Sequence, residues 1–317
     1  MSSRPAGRGD PRATPWLFAS LLLGAAAPPF YRIAANLPPI ALAFWVSLAG
    51  TAISGALLAI RPGREPFRLY ARDRGQLTLL LAWGFGSFTL LVLALAAGTH
   101  SLSASLVALI YRTWPLMLGL LAWPLLGERL RGREWVGLAI GFAGVAAAYA
   151  WAGTLLFPAV ALPLVAFLFL GAFADAVAAA YSRKYRPANM LSFVFLCNAI
   201  ALTCFAILDG PSAVRAAGQL TGPDLWAIVF LGGPQNVGLT ILFVRSYEWA
   251  DATAPVALVY LASPFVTFAI DLVFLREPIL PAYWLVAVGV LVGALVMGVG
   301  RARPNAPPPA PSGGPSG

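Results

Sequence analysis

Charged residues are scarce in this sequence, and their scarcity indicates the class of protein. Only 10% of the 317 residues are Asp, Glu, Lys or Arg, while 60% are hydrophobic. A soluble globular domain carries about 25% charged residues. The composition therefore excludes a soluble domain and predicts an all-α integral membrane protein that crosses the bilayer many times.

The residues that metal centres and redox sites need are also few. The sequence has one histidine, His100, and two cysteines, Cys197 and Cys204. Seven residues of helix would separate the two cysteines by about 10 Å, which is too far for a disulfide. No metal-ligand spacing, nucleotide-binding glycine loop, acidic diphosphate motif or nucleophile elbow is present. We therefore predict that the protein is not an enzyme and has no metal or other cofactor.

The few charges are mostly basic, and their distribution predicts the orientation in the membrane. The net charge is +9, and the basic residues lie in small groups between apolar runs. This pattern fits cytoplasmic loops that face anionic lipid and does not fit a nucleic-acid surface. All the basic residues except Lys184 are Arg, which is typical of GC-rich bacteria. We predict a multi-pass protein of the bacterial inner membrane with both termini in the cytoplasm.

Apolar runs of about 20 residues, the length that crosses a bilayer, recur along the chain. The ends, residues 1–15 and 301–317, are rich in proline and glycine and are expected to be disordered. The first run is long and has many successors, so we do not interpret it as a cleaved signal peptide. The ten predicted spans are residues 16–35, 39–60, 76–97, 102–125, 133–151, 155–178, 190–209, 224–244, 253–275 and 281–300.

The sequence also repeats itself. In an apolar chain, chance rarely aligns tyrosine, proline, glutamate and tryptophan in one gapless register. The repeat predicts two five-span halves, residues 16–151 and 155–300. Because five is odd, the second half would be inverted, as is common in secondary transporters. The matching pairs, each 149 positions apart, are Val107 and Val256, Tyr111 and Tyr260, Pro115 and Pro264, Glu128 and Glu277, Trp135 and Trp284, and Gly144 and Gly293.

These motifs resemble the drug/metabolite transporter superfamily, and its EamA-type exporters in particular. Each half has an Ala-Leu-x-Tyr-x-x-x-Pro span, and the first half continues with Leu126-Gly-Glu-Arg-Leu130 and Trp135-Val-Gly137. The pair Trp114-Pro115 is similar to that of the bacterial aromatic amino acid exporters of the YddG type. The second half departs from the pattern, because Arg276 replaces the glycine and Pro278 follows the glutamate.

The resemblance implies a basket of ten helices around a central cavity lined by spans 1, 3, 4, 6, 8 and 9. It also implies export of amino acids or other small metabolites. Other branches of the superfamily handle nucleotide sugars, choline and drugs.

Prolines within the predicted spans indicate where the helices bend. A proline has no N–H, so the carbonyl four residues before it loses its partner. In hydrocarbon such a carbonyl is tolerated where it lines a cavity or finds another donor. We therefore predict kinks or hinges at Pro115, Pro264, Pro28, Pro29 and Pro234.

We expect the substrate cavity beside these kinks. Tyr111, Trp114 and Leu118 share one face of a helix, and Tyr260, Ser263 and Thr267 occupy the matching positions. These side chains would form a wall of aromatic and hydroxyl groups. Alternatively, they pack helices together or form an interfacial belt.

Several charges fall within the predicted spans, and two of them are candidates for the site: Arg112, the one charge of span 102–125, and Asp175, the acid that we place deepest. A charge inside a span marks a pathway or a partner. Arg112 could hold a substrate carboxylate, snorkel to one face or pair with an acid. Asp175 could bind a substrate amine, take part in proton coupling or pair with Arg112. Asp271 lies nearer a helix end, and we interpret it as structural. His100, at a junction between spans, fits a hydrogen-bonded loop residue better than a switch.

Neighbouring amides complete the predicted site. Gln235 and Asn236 can donate to a carboxylate and accept from an amine, or they can hold helices together. Ser87 is the position in span 3 that matches Asn236, and it follows Trp83 by one helical turn. The predicted substrate-binding residues are Tyr111, Trp114, Arg112, Asn236, Gln235, Tyr260, Ser263, Asp175, Trp83 and Ser87.

The sequence thus predicts an exporter of small metabolites that works by alternating access through a central cavity. Amino acids, including aromatic ones, are the expected substrates. The alternatives are another small solute, such as a drug, nucleoside or polyamine, and a membrane-embedded enzyme or flippase for lipid-linked substrates. Proton coupling and facilitated diffusion both stay open. The expected partners are the small molecule and lipid, without nucleic acid; a monomer suffices, although the sequence leaves the oligomeric state open.

Overall fold

A computed structural model describes residues 13–60, 70, 72–127, 132–133, 135–144, 162–249, 263–276 and 281–298. This part of the chain consists of helices and their connections and contains no strand. Six of the described helices are long and apolar enough to cross a membrane, judged by length and composition. Large apolar side chains such as Ile207 and Trp226 lie exposed on the outside. The described part of the chain is therefore all-helical, and its apolar helices are those of a membrane protein, as the composition predicts.

The helices follow one another along the chain, and several are built from segments of different pitch. A short 3₁₀ turn, Ala216–Gln219, follows α7. The helices are α1 (Ala13–Ile33), α2 (Pro39–Ile60), α3 (Arg74–Leu81, Ala82–Leu91 and Val92–Ser101), α4 (Ala104–Tyr111 and Trp114–Leu126), α5 (Trp135–Gly144), α6 (Leu162–Lys184), α7 (Met190–Arg215), α8 (Gly222–Phe230, Leu231–Leu239 and Thr240–Trp249), α9 (Ser263–Ile270 and Asp271–Leu275) and α10 (Pro281–Gly298).

Some helices match their predicted spans, and others extend beyond them. The bounds of α2 coincide with the predicted span 39–60, whereas α6 continues to Lys184, beyond residue 178. The length of an apolar run reflects the thickness of the hydrocarbon core, and a helix can continue beyond it through polar residues into the interface. Polar caps set other ends: the Asn189 side chain accepts from two N–H groups at the start of α7, and Thr221 and Asp224 form a capping box before α8.

Helix α4 is interrupted beside Pro115, where the sequence predicts a kink or hinge. The first segment ends at Tyr111, and the second begins at Trp114, directly before Pro115. Arg112 has ψ of 7°, outside the helical range. Thr113 Oγ1 donates to the Ile110 carbonyl at 2.8 Å and so supplies a donor at the break. Because proline cannot donate to the carbonyl four residues back, the regular bonding pattern fails at this point.

Wide π-type turns occupy the middle of α3 and of α8. The two segments, Ala82–Leu91 and Leu231–Leu239, begin 149 positions apart, which is the offset of the sequence repeat. In a π turn, a carbonyl accepts from the N–H five residues later. In α8 this register brings the N–H of Gln235 opposite the Phe230 carbonyl, which Pro234 leaves without its usual α-helical donor. Such turns are frequent at functional sites.

The contacts between helices follow the same offset. Helix α2 packs against α7; the π segment of α3 packs against α6 and α7, and that of α8 packs against α1 and α2. The second segment of α4 packs against α6, and the first segment of α9 packs against α1. When both helix numbers are shifted by five, counted cyclically over ten helices, the contacts of α3 and α4 become the observed contacts of α8 and α9. The contact of α2 with α7 becomes itself.

The two halves have a similar backbone conformation at the position where the second half departs from the Gly-Glu pattern. Gly127, after α4, has φ of +70°, and Arg276, which matches it 149 positions later, has φ of +53°. Left-handed backbone costs a residue with a side chain about 1–2 kcal/mol, and glycine largely avoids this cost. Arg276 therefore adopts the turn of the glycine that it replaces.

We expect Gly232→Ala to destabilise the protein by about 1–3 kcal/mol, because α8 approaches α2 too closely for a methyl group. A Cβ on Gly232 would lie 2.7 Å from the Val46 carbonyl oxygen and 2.7 Å from the Gly50 nitrogen. Thermal unfolding of the purified protein in detergent measures the loss.

Gly238→Ala is the matched control, because it lies in the same π segment and its Cβ would meet only Leu23 Cδ1 at 3.6 Å. We expect its melting temperature to be unchanged or slightly higher. Equal losses from the two substitutions would contradict the close approach of α8 to α2.

Candidate functional site

A cavity lies among α3, α4, α6 and α8. Counting its open mouth, it encloses about 490 Å³. Its floor and walls combine apolar, aromatic and polar side chains, as is usual for sites that bind small molecules. The described residues that line it are Trp83, Ser87, Phe88, Leu91, Val92, Leu95, Tyr111, Trp114, Asp175, Gln235, Asn236, Leu239, Thr240 and Phe243.

Most of the residues proposed from the sequence meet in this cavity. They come from four helices and lie up to 153 positions apart in the chain. The structure brings together Trp83, Ser87, Tyr111, Trp114, Asp175, Gln235 and Asn236.

Asp175 is held by two hydroxyl groups from neighbouring helices. Ser87 Oγ donates to Asp175 Oδ1 at 2.7 Å, and the Tyr111 hydroxyl donates to Asp175 Oδ2 at 3.0 Å. A carboxylate offers about four lone-pair sites on its two oxygens, so these two bonds leave acceptor capacity for a third group. The arrangement fixes the carboxylate and leaves it able to accept from a substrate.

The amides of α8 supply uncharged polar groups. Asn236 is only 5% exposed, and Gln235 is half-buried. Among the described residues, neither Asn236 Nδ2 nor Gln235 Oε1 has a hydrogen-bond partner. A buried polar group without a partner costs about 1–3 kcal/mol. A substrate that bonded to these amides would remove that cost.

Aromatic rings form one wall of the cavity. Phe243 links Trp83 and Trp114, with ring centroids 6.1 and 5.8 Å from its own. Trp83 Nε1 donates to the Ala178 carbonyl at 3.0 Å and to Ser182 Oγ at 2.6 Å, so its indole is fixed against α6. The wall is therefore a preformed apolar surface.

Arg112 is buried but does not line the cavity. Its guanidinium carbon lies 4.7 Å from the centroid of the Tyr111 ring, and its nitrogens approach Gly24 of α1. Because α4 breaks at Arg112 and Thr113, neighbouring positions no longer share one regular helical face. Leu118 is likewise buried away from the cavity lining.

The remaining proposed residues lie elsewhere. Ser263 is buried in α9 and does not line the cavity, and Tyr260 is outside the described residues, as are Glu128 and Glu277. No described residue of α1 or α9 lines the cavity, although the resemblance implied both helices. In the part of the chain that the structure describes, no cluster of His, Cys, Asp or Glu could hold a metal ion.

The polar residues that were interpreted as structural from the sequence have contacts within the fold. His100 Nδ1 lies 2.6 Å from the Ala35 carbonyl, in the turn between α1 and α2. Asp271, which is fully buried, accepts a hydrogen bond from Ser105. Both cysteines are free, as their spacing predicts.

A carbonyl freed by the proline pair of α1 accepts a hydrogen bond from α9. Pro29 leaves the Ala25 carbonyl without its usual donor, and Thr267 Oγ1 donates to this carbonyl at 2.8 Å. Thr267 is fully buried. The freed carbonyl therefore becomes a cross-link between two helices.

Half of the described lining residues were not predicted from the sequence. Phe243 and Thr240 follow Asn236 by seven and four positions, so helical periodicity from Asn236 would have found them. The same rule applied from Ser87 would have found Leu91 and Leu95. The missed residues are Phe88, Leu91, Val92, Leu95, Leu239, Thr240 and Phe243.

The first part of the sequence is similar to a known protein family. Residues 12–150 match the EamA-like transporter family. This stretch therefore carries an EamA-like domain of the kind that the motifs suggest.

Solved structures extend the likeness to most of the chain. One, titled "Crystal structure of protein", covers 91% of this chain and 96% of its own, with a TM-score of 0.61 and 21% identity. At this identity the likeness shows a shared fold. No curated protein matches the sequence, and no named relative supports the finer similarity to aromatic amino acid exporters.

We expect Thr267→Val to lower stability by about 1–3 kcal/mol, because it keeps the shape and leaves the Ala25 carbonyl without a donor. Thr203→Val is the control, since Thr203 is exposed and its hydroxyl bonds only to Ala199 in its own helix. Thermal unfolding of the two purified variants in detergent measures the difference. Indistinguishable melting temperatures would contradict the cross-link.

Proposed function

We propose that this protein is a secondary transporter that exports small metabolites, in particular amino acids including aromatic ones, across the bacterial inner membrane. The observation that carries the proposal is the cavity among α3, α4, α6 and α8. It combines a carboxylate, two free amide groups and an aromatic wall in the interior of an apolar helical protein. The EamA-like match of residues 12–150 supports transport of a small solute and not an enzymatic reaction.

We further propose that the chain is built from two inverted five-helix halves. The common offset of the two π segments and the recurrence of helix contacts support this arrangement. The family match ends at residue 150, next to the predicted boundary of the first half. Transport would proceed by rocking of the halves, with Pro115 and Pro264 as hinges. The arginine-rich loops support cytoplasmic termini.

An aromatic amino acid can be placed in the cavity by matching its groups to the lining. Its ring would pack against Trp83, Trp114 and Phe243. Its ammonium group would meet Asp175, and its carboxylate would accept from the Asn236 amide. Every functional group of the substrate would then have a counterpart in the protein.

Counterflow in proteoliposomes tests the proposal. We expect purified protein, loaded with unlabelled phenylalanine, to accumulate labelled Phe, Trp, Thr or Met. Trp114→Ala and Asn236→Ala should each weaken substrate binding at least about tenfold, a loss of about 1.4 kcal/mol, and thereby reduce this accumulation. The first substitution removes part of the aromatic wall, and the second removes the amide that meets the carboxylate.

Trp226→Ala is the control for Trp114→Ala, because Trp226 is 71% exposed on the outer surface of α8. It should transport like the wild type, and thermal unfolding should show that all variants are folded. Accumulation that neither site substitution changes would contradict the proposed cavity. Absence of counterflow for every amino acid would contradict the substrate class.

A further inference from the structure

We propose that the cavity selects a substrate by its ammonium group and does not require a carboxylate, so that aromatic primary amines are preferred ligands. The inference rests on the proposed function, because it names the substrate class of the same site. It departs from that proposal in its ranking of ligands. A zwitterionic amino acid would be a weaker ligand than the amine that lacks its carboxylate.

The first support is the charge of the lining. Among the described residues that line the cavity, Asp175 is the one with a formal charge, and the others are apolar, aromatic, hydroxyl or amide side chains. The described lining contains no Arg, Lys or His. A buried carboxylate is costly unless a positive charge accompanies it. Arg112 interacts with Asp175 electrostatically from outside the lining, and a substrate ammonium group would add a positive charge inside the cavity together with hydrogen-bond donors.

The geometry around Asp175 is suited to an ammonium group. Ser87 and Tyr111 each donate to one of its oxygens, at 2.7 and 3.0 Å. These two donors hold the carboxylate in place and leave lone pairs for N–H donors from the cavity. A charge-assisted hydrogen bond to such a preorganised carboxylate is stronger than a neutral one.

Arg112 does not convert this site into a carboxylate site. It packs on the ring face of Tyr111, with 4.7 Å between the guanidinium carbon and the ring centroid, and it does not line the cavity. The Tyr111 hydroxyl contacts Asp175. A substrate in the cavity therefore meets the carboxylate directly, whereas Arg112 acts from outside the lining.

The aromatic wall favours the same ligand. A cation within about 6 Å of an aromatic centroid is attracted to the ring face, most strongly to that of tryptophan. Trp83 and Trp114 line the cavity together with Asp175. Phe88 and Phe243 add apolar surface for the body of the ligand. An arylalkyl amine combines the cation and the apolar body that these side chains match.

A carboxylate would find weaker compensation. The free buried donor in the described lining is the neutral Asn236 amide nitrogen, whereas the free atom of Gln235 is Oε1, which accepts and would not stabilise a carboxylate. Removing an ionised carboxylate from water is costly without a countercharge, and a neutral amide offsets only part of that cost. The carboxylate of an amino acid would also lie in the field of Asp175, which repels it. An acid without an ammonium group should therefore be excluded.

Three ligands with the same phenyl ring test the ranking: phenethylamine, phenylalanine and 3-phenylpropanoate. Binding of each labelled compound to the purified protein in detergent is measured by equilibrium dialysis, and transport is measured by counterflow. We expect phenethylamine to bind at least about tenfold more tightly than phenylalanine, a difference of about 1.4 kcal/mol. We expect 3-phenylpropanoate not to bind.

Asp175→Asn should weaken phenethylamine binding at least about tenfold and remove the preference over phenylalanine. Asp73→Asn is the matched control. Asp73 is exposed and caps the first turn of α3 by accepting from Gly75, and asparagine caps a helix as well as aspartate does. Its ligand ranking should equal that of the wild type. If Asp175→Asn does not fold, the wild-type ranking alone decides.

The outcomes separate this inference from the proposed function. Counterflow of phenylalanine without binding of phenethylamine would overturn the amine preference and leave the transporter proposal standing. Selective binding of phenethylamine that depends on Asp175, without counterflow of any ligand, would support the site and contradict transport. Equal binding of phenethylamine and 3-phenylpropanoate, or binding of none of the three, would overturn the inference.

Discussion

Backbone carbonyl groups inside an apolar protein need hydrogen-bond donors, and prolines withhold them. In hydrocarbon there is no water to replace the missing N–H. Each carbonyl that a proline frees therefore needs another donor or a change in the helix geometry. Three solutions occur in the described helices. Thr267 of α9 donates to the carbonyl that Pro29 frees in α1. The wider π turns of α8 accommodate Pro234, and α4 is interrupted directly before Pro115.

These irregularities position the candidate site. The π segment of α3 carries Trp83 and Ser87, and that of α8 carries Gln235 and Asn236. The break in α4 lies between Tyr111 and Trp114. A wider turn or a break changes the direction of side chains that a regular helix would have placed at other angles. Much of the polar lining therefore comes from places where the backbone departs from the α-helix, whereas Asp175 lies in the regular helix α6.

This relation explains how much of the molecule could be predicted from the sequence. Composition and apolar run length predicted the membrane class and the bounds of α2, because both depend on residue type alone. Tyr111 and Asn236 could be singled out because a proline or a second amide lies nearby in the sequence. The position of Arg112 could not be predicted, since it depends on which way the chain turns at the break. The long-range contact of Asp175 with Ser87 likewise depends on helix packing.

The two buried charges near the cavity illustrate this dependence on packing. From the sequence, Arg112 and Asp175 are equivalent candidates, since each is a single charge in an apolar run. In the structure, Tyr111 distinguishes them: its ring face contacts Arg112, and its hydroxyl donates to Asp175. The arginine is thereby accommodated against an aromatic ring outside the lining, while the carboxylate stays in the cavity wall. Tyr111 thus contacts both charges, and Asp175 is the described lining residue that gives the cavity its negative charge.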